Sequence, residues 1–343
     1  MKVLKRVFAL LLSLMLVMSL ASCGGKNSTS AQNETKSEKV EESSAQGNPN
    51  RPNPEENMKK TYKIGTLQLV KHPALDAANK GFFDYLDEKG IKYTNDAQNA
   101  SGEQNACDTI ADKFANDELD LCYAIATPAA QSLVARIDKT PIIASAVTDP
   151  AASGLCESND NPRGNLTAAS DLTPVEAQFD LLVELLPNAK NVGILYCSAE
   201  ANSKIQADMA QAAAKKRNLT ATDYTVVTSN DIQTVVESMV GKVDVVYVPT
   251  DNVIAAGFAT VATICNENKL PTIVGEEAMV DNGGLATYGI DYYMLGKEAG
   301  KLAENILINR MKPGDLPVRY LDQNSCTRKI NQETAKLLGI EVK

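Results

Sequence analysis

From Thr61 onward the chain alternates short apolar runs with amphipathic stretches, and this restricts the possible folds more than any other feature. Val243-Asp244-Val245-Val246-Tyr247-Val248 is nearly continuous in β-branched residues. A run of that kind suits a strand covered on both faces, as in a parallel sheet. Similar runs read as strands at Tyr62–Leu69, Leu119–Ile125, Pro141–Ala146, Asn165–Ser170, Asn191–Cys197, Ala221–Val227, Pro271–Gly275, Gly284–Ile290 and Val318–Leu321. Helical spacing predicts helices at Pro73–Lys89, Pro128–Ile137, Ser203–Arg217, Ile232–Val240, Val253–Asn268, Tyr292–Arg310 and Gln332–Leu338. Another follows Thr173-Pro174-Val175-Glu176, which reads as a capping box with Pro at the first helical position. Alternating strands and helices make βαβ units. The units fall into two series, so the expected fold class is α/β, with two doubly wound parallel-sheet lobes of about five strands each.

The segment before Thr61 has a different character. Lys2, Lys5 and Arg6 precede an apolar run, Val7–Leu20, that is broken only by Ser13 and Ser19. The run is too short for a spanning helix, which needs ~20 residues, and its flanks suit a secretory signal over residues 1–22. Leu20-Ala21-Ser22-Cys23 follows in the pattern of a bacterial lipobox, with Cys23 as the acylated residue. Gly24–Lys60 contains no Ile, Leu, Phe or Tyr and is rich in Ser, Asn, Glu, Lys and Gln. Such a segment cannot bury enough apolar area to offset chain entropy, so residues 23–60 read as a lipidated cysteine and a flexible tether. The expected location is extracytoplasmic, held to the cell membrane by lipid. Removing the signal takes away three positive charges and no acids, so the formal net charge moves from -9 to -12. A basic patch on the membrane is therefore not the anchor.

The acid excess argues against nucleic acid as a partner, because counterion release needs clustered Lys and Arg. There is one histidine, His72, and no CxxC pair, so neither a zinc site nor another metal site is expected. Of the six other cysteines, Cys122, Cys197 and Cys265 lie in apolar patterns and read as small buried hydrophobes. Free thiols are the expected state of the six, although an exported chain could also pair them. No G-x-S-x-G elbow, P-loop or G-x-G-x-x-G turn occurs, which leaves the common hydrolase and nucleotide chemistries without their machinery. The chain reads as a binder with no cofactor. An α/β enzyme using paired carboxylates is the rival reading.

In open α/β sheets, ligands bind beyond the carboxyl ends of the strands, at helix N-termini. Those loops contain Gln68 to Asp76, Ala126-Thr127-Pro128-Ala129-Ala130, Ala146-Val147-Thr148-Asp149-Pro150, Tyr196 to Ser203, Pro249-Thr250-Asp251-Asn252 and Thr287-Tyr288-Gly289-Ile290-Asp291. Thr127 can cap a helix whose free N–H groups would hold a carboxylate. Asn202 or Ser203 stands at another helix start, and Asp149-Pro150 suits an interlobe crossing. Asp251 reads as a plain N-cap or, more sharply, as the partner of a ligand ammonium. Tyr288 could wall a pocket.

Taken in order, these stretches resemble the ABC-transporter substrate-binding family that includes tryptophan- and phenylalanine-binding lipoproteins, over about residues 61–343. The resemblance implies a periplasmic-binding-protein-like molecule of type I that closes on a small solute and delivers it to an ABC permease and its ATPase. It implies a lobe of residues 61–148 plus 285–313 and another of 149–284 plus 314–343. The ligand contacts it carries over are Gln68, Thr127, Ala129, Thr148, Asp149, Asn202, Asp251 and Tyr288. The implied ligand is an amino acid, Trp or Phe foremost, bound by a monomer. A sugar, nucleoside or peptide ligand, or a sensor role, shares the same architecture. One departure is Asn165-Leu166-Thr167-Ala168, where Ala168 replaces the family's usual Gly.

Overall fold

The structure is a computed structural model that describes residues 53–322 and 326–342. The signal, the lipobox with Cys23 and most of the tether lie outside the described residues. Two six-stranded sheets organise the chain. The first has the order β11-β5-β4-β3-β1-β2, and the second β12-β10-β9-β8-β6-β7. In the first, β1 (Thr61–Gln68) pairs in parallel with β2 (Lys92–Asn99) and β3 (Leu121–Ile125). β4 (Ile142–Ser145), β5 (Leu166–Ser170) and β11 (Arg319–Tyr320) continue it in parallel. In the second, β6 (Asn191–Cys197), β7 (Thr220–Val226), β8 (Val245–Val248), β9 (Thr272–Val274) and β10 (Ala286–Gly289) are parallel, and β12 (Thr327–Ile330) runs antiparallel on β10.

Both faces of each sheet are covered, which explains the near-continuous apolar strands. On the second sheet, Val245 and Tyr247 join a core with Phe179 of α5 (Val175–Leu185) and the alanines of α6 (Ala201–Lys216). Val246 and Val248 point the other way, to Val236 of α7 (Ile232–Met239) and Phe258 of α9 (Phe258–Glu267). On the first sheet, α2 (Pro73–Glu88) crosses α11 (Tyr292–Leu307), while α3 (Gln104–Asn116) lies beside α4 (Thr127–Val134).

Several expectations are corrected. β2 reads KYTNDAQN, a polar edge strand without apolar periodicity, and was not expected; nor were α3, α10 (Glu277–Asp281) and β12. The helix expected over Val253–Asn268 breaks at Gly257, whose backbone (φ -102°, ψ 11°) leaves the helical region, into α8 (Asn252–Ala256) and α9. Thr173 forms no capping box: Pro174 occupies the cap position and the Thr173 hydroxyl has no partner. The end of the expected tether is ordered, since α1 (Pro54–Asn57) docks through Asn57 Nδ2, which donates to the Ile308 carbonyl at 2.7 Å.

The crossings between sheets also fall elsewhere than expected. Asp149-Pro150 starts a turn, closed by Ser153 N–H to the Asp149 carbonyl, and the chain stays with the first sheet through β5. It crosses between β5 and α5, returns between β10 and α11, and crosses again between β11 and β12. The first half therefore keeps residues up to about 170 rather than 148, and β10 belongs to the second.

Candidate functional site

The carboxyl ends of the strands of the two sheets meet, and polar residues from both are buried there. His72 caps α2 in the first half, and its Nε2 lies 3.3 Å from Asn252 Oδ1 at the start of α8 in the second. Gln206 of α6 donates to Thr148 Oγ1, after β4, at 3.0 Å. Across the same junction α4 touches α6 and α2 touches α10, so the site between the halves is shut.

The expected site residues separate into two groups. Gln68, Thr127, Ala129, Thr148, Asn202 and Asp251 are all buried at these strand ends. Thr127 is the first residue of α4 rather than its cap, and its hydroxyl has no partner. The N–H groups of Thr127 and Ala129 precede the first helical bond, Ala130 N–H to the Ala126 carbonyl, and so stand open to an acceptor. Just before them Ala126 holds φ 88°, and Ala146 after β4 holds φ 55°, both left-handed for residues that carry a Cβ. Strain of that kind collects where a loop must present its backbone to a ligand.

Asp149 and Tyr288 are not brought to the centre. Asp149 Oδ1 accepts from Ala152 N–H at 3.0 Å and Asn159 Nδ2 at 2.9 Å, closing its own turn. Tyr288 packs on the core of the second half, against the α5 side of its sheet. Asn202 lies one residue inside α6, whose cap is Glu200, and donates to Glu200 and to the Thr250 carbonyl. Asp251 is the N-cap of α8: Oδ1 accepts from Ile254 N–H at 2.8 Å and Oδ2 from Cys197 N–H at 2.5 Å. Its oxygens thus tie β6 to α8, and this structural role occupies the group expected to meet an ammonium.

Sequence reasoning missed the carboxylates that dominate the site. Asp171 follows β5, where Tyr292 donates to it at 2.9 Å and Thr148 at 3.2 Å, and burial pushes its carboxyl up to about 6. Glu200 accepts from Asn252 Nδ2 at 2.6 Å, and burial, with the neighbouring Asp251 charge, raises it to about 7. Glu276, after β9, is only 3% exposed and accepts no hydrogen bond from a described residue. Burial first, then the charges of Asp171 and Asp251, push it to about 8. Position at a strand end was the one available signal, and it does not separate these acids from the others. All six described cysteines are unpaired, and Cys107, Cys122, Cys197 and Cys265 are buried.

Two facing α/β halves joined by three crossings, with buried polar groups between them, define a solute-binding protein of the type I periplasmic class. Residues 63–343 match the family described as ABC transporter substrate binding protein, and the chain belongs to that family. A tyrosine-binding protein from Clostridioides difficile is 38% identical over 342 residues, 98% of this chain and 93% of that protein. A solved ABC domain in complex with L-Trp from Streptococcus pneumonia is 39% identical, with a TM-score of 0.80, over 83% of this chain and 96% of that one. The ligand-free, open structure of a substrate binding protein with adhesive properties from Clostridium difficile is 38% identical, with a TM-score of 0.63, over 82% and 96%. At nearly equal identity, the present conformation is thus nearer the ligand-bound relative than the open one.

Proposed function

We propose that the protein is the extracytoplasmic, Cys23-lipidated solute receptor of an ABC importer, and that it traps an aromatic L-amino acid between its halves. The observation that carries this reading is the pair of unsatisfied ends in the shut site. Thr127 and Ala129 offer N–H donors at the start of α4, beside an unpartnered hydroxyl, while Glu276 offers a carboxylate with no donor. A carboxylate suits the first and an ammonium the second, so one zwitterion completes both. The aromatic side chain is inferred from the tyrosine-binding and L-Trp-bound relatives, which extends the Trp and Phe expectation to Tyr. No bond is made or broken in this role, and the permease and ATPase are its partners.

A thermal-shift screen of the twenty amino acids, with glucose and adenosine as controls, tests the reading. A ligand that binds only the folded form at a hundred times its Kd adds about 2.7 kcal/mol, a rise of several degrees for a protein of this size. Tyr, Trp or Phe should give the largest rise. A response to the sugar or nucleoside alone would reject it. The anchor is tested separately: Cys23→Ser should move the protein from the membrane fraction to the medium.

A further inference from the structure

The only histidine of the chain sits at the junction of the halves with one ring nitrogen engaged and the other bare. Asn252 fixes which is which. Its Nδ2 donates to Glu200 Oε2 at 2.6 Å, so its Oδ1 faces His72 and must receive an N–H there. His72 therefore carries its ring hydrogen on Nε2, and Nδ1 is a lone-pair acceptor. That Nδ1 is buried without a partner. Facing it, 3.9 Å away, is Glu276 Oε1, itself without a donor among the described residues. Burial keeps a proton on Glu276 at neutral pH in the shut form, and a positive charge placed beside it would release that proton and leave two acceptors facing each other. An ammonium placed about 2.9 Å from each spans this separation.

We propose that the ligand's ammonium binds in this gap, donating to His72 Nδ1 of the first half and to the Glu276 carboxylate of the second. The assignment rests on the amino-acid reading above and specifies its amine subsite. The surroundings agree with a cationic occupant. Asp171 and Asp251 act on Glu276, Asp76 acts on the ring, and the Tyr292 hydroxyl is turned to Asp171; among the described residues no Lys or Arg acts on either group. The ligand must bring the positive charge. Burial holds His72 down to about 4, so the ring is neutral and able to accept at neutral pH. Because the two acceptors come from different halves, amine recognition and closure are one event. A carboxylic acid of the same shape without the amine leaves the gap unfilled.

The test compares L-tyrosine, L-tryptophan and L-phenylalanine with their deamino acids by calorimetry and competition, on wild type, His72→Phe and Glu276→Gln. Wild type should bind the best amino acid at least a hundredfold more tightly than its deamino counterpart. Each variant should lose tenfold or more for the amino acid and little for the deamino acid, so that the ratio collapses. His72→Asn, whose Oδ1 can stand where Nδ1 stands, should recover part of the loss. A ratio unchanged in both variants overturns the assignment, as does a parallel loss for both ligands, which would mark a purely structural role. Absence of binding by wild type to any of the three amino acids would instead overturn the functional reading itself. Since the variants lie in different halves, misfolding of one leaves the other to decide.

Discussion

At the residue scale, the acids at the site differ by what their oxygens already hold. Both Asp251 oxygens receive backbone N–H groups, from Ile254 and Cys197, so this residue is part of the scaffold. Asp251→Ala leaves two buried donors unpaired and should cost about 2–4 kcal/mol of folding stability, combining a lost cap and a lost acceptor. Asp251→Asn, which keeps one acceptor oxygen, should cost less. Urea denaturation of the ligand-free protein measures both; an unchanged midpoint for the alanine variant would remove Asp251 from the scaffold. Glu276 is the reverse case, a buried carboxyl with no donor. This contrast explains how much of the site was legible. Gln68, Thr127, Ala129, Thr148, Asn202 and Asp251 stand at strand ends and could be read as lining it. Whether an acid there is spent on its own backbone depends on the fold of two loops at once, and a linear string does not display that. Glu276 and Asp171 were invisible for this reason, and Asp149 and Tyr288 were misplaced by it.

At the scale of elements, the closest packing is the crossing of α2 and α11. Gly296 lies against the Ala78 carbonyl and Gly81 against the Tyr293 carbonyl, each near enough that a Cβ would overlap the opposite backbone. The two helices come from distant parts of the chain, and their contact holds the returning segment onto the first sheet. Gly296→Ala cannot be absorbed by a rotamer change, because the obstacle is backbone. Overpacking of this type costs ~1–3 kcal/mol or more, and the variant should show a melting point lower by several degrees. A melting point equal to wild type would mean that the helices separate without cost. The pairing was not foreseen, although both helices were, because each appears in the sequence only as an apolar stripe. The same limit governs the strands. β3 and β8, sealed on both faces, announce themselves as apolar runs, whereas β2 is exposed at a sheet edge and carries the polar composition of a loop.

For the whole molecule, the balance between shut and open forms follows from the groups buried between the halves. Without a ligand, the shut form leaves His72 Nδ1, Thr127 Oγ1 and Asn202 Oδ1 unpartnered, each costing roughly 1–3 kcal/mol. Water pairs these groups when the halves part, so the empty protein should open and the ligand should close it. Closure also carries a proton dependence. Burial raises Glu276 to about 8 and Asp171 to about 6, against 4.5 and 3.8 when solvated. A carboxyl whose affinity for its proton rises on closing favours the shut form fully below its solvated value and loses that contribution as pH rises through the shut-state value. His72, lowered from 6.5 to about 4, acts in the opposite sense, favouring closure above 6.5 and losing that contribution as pH falls to 4. Between pH 6.5 and 8 Glu276 and Glu200 are both still titrating. Among the described residues Glu200 is hydrogen-bonded only within the second half, to Asn202, Asn252 and Val253, so the dependence on closure falls to Glu276. The empty protein should therefore become more open over that interval. Its radius of gyration from solution scattering should rise with pH there, and saturating aromatic amino acid should hold it at the compact value throughout. The Glu276→Gln variant, which has no proton to lose, should remove the rise; a wild-type radius independent of both ligand and pH would show that the halves do not move.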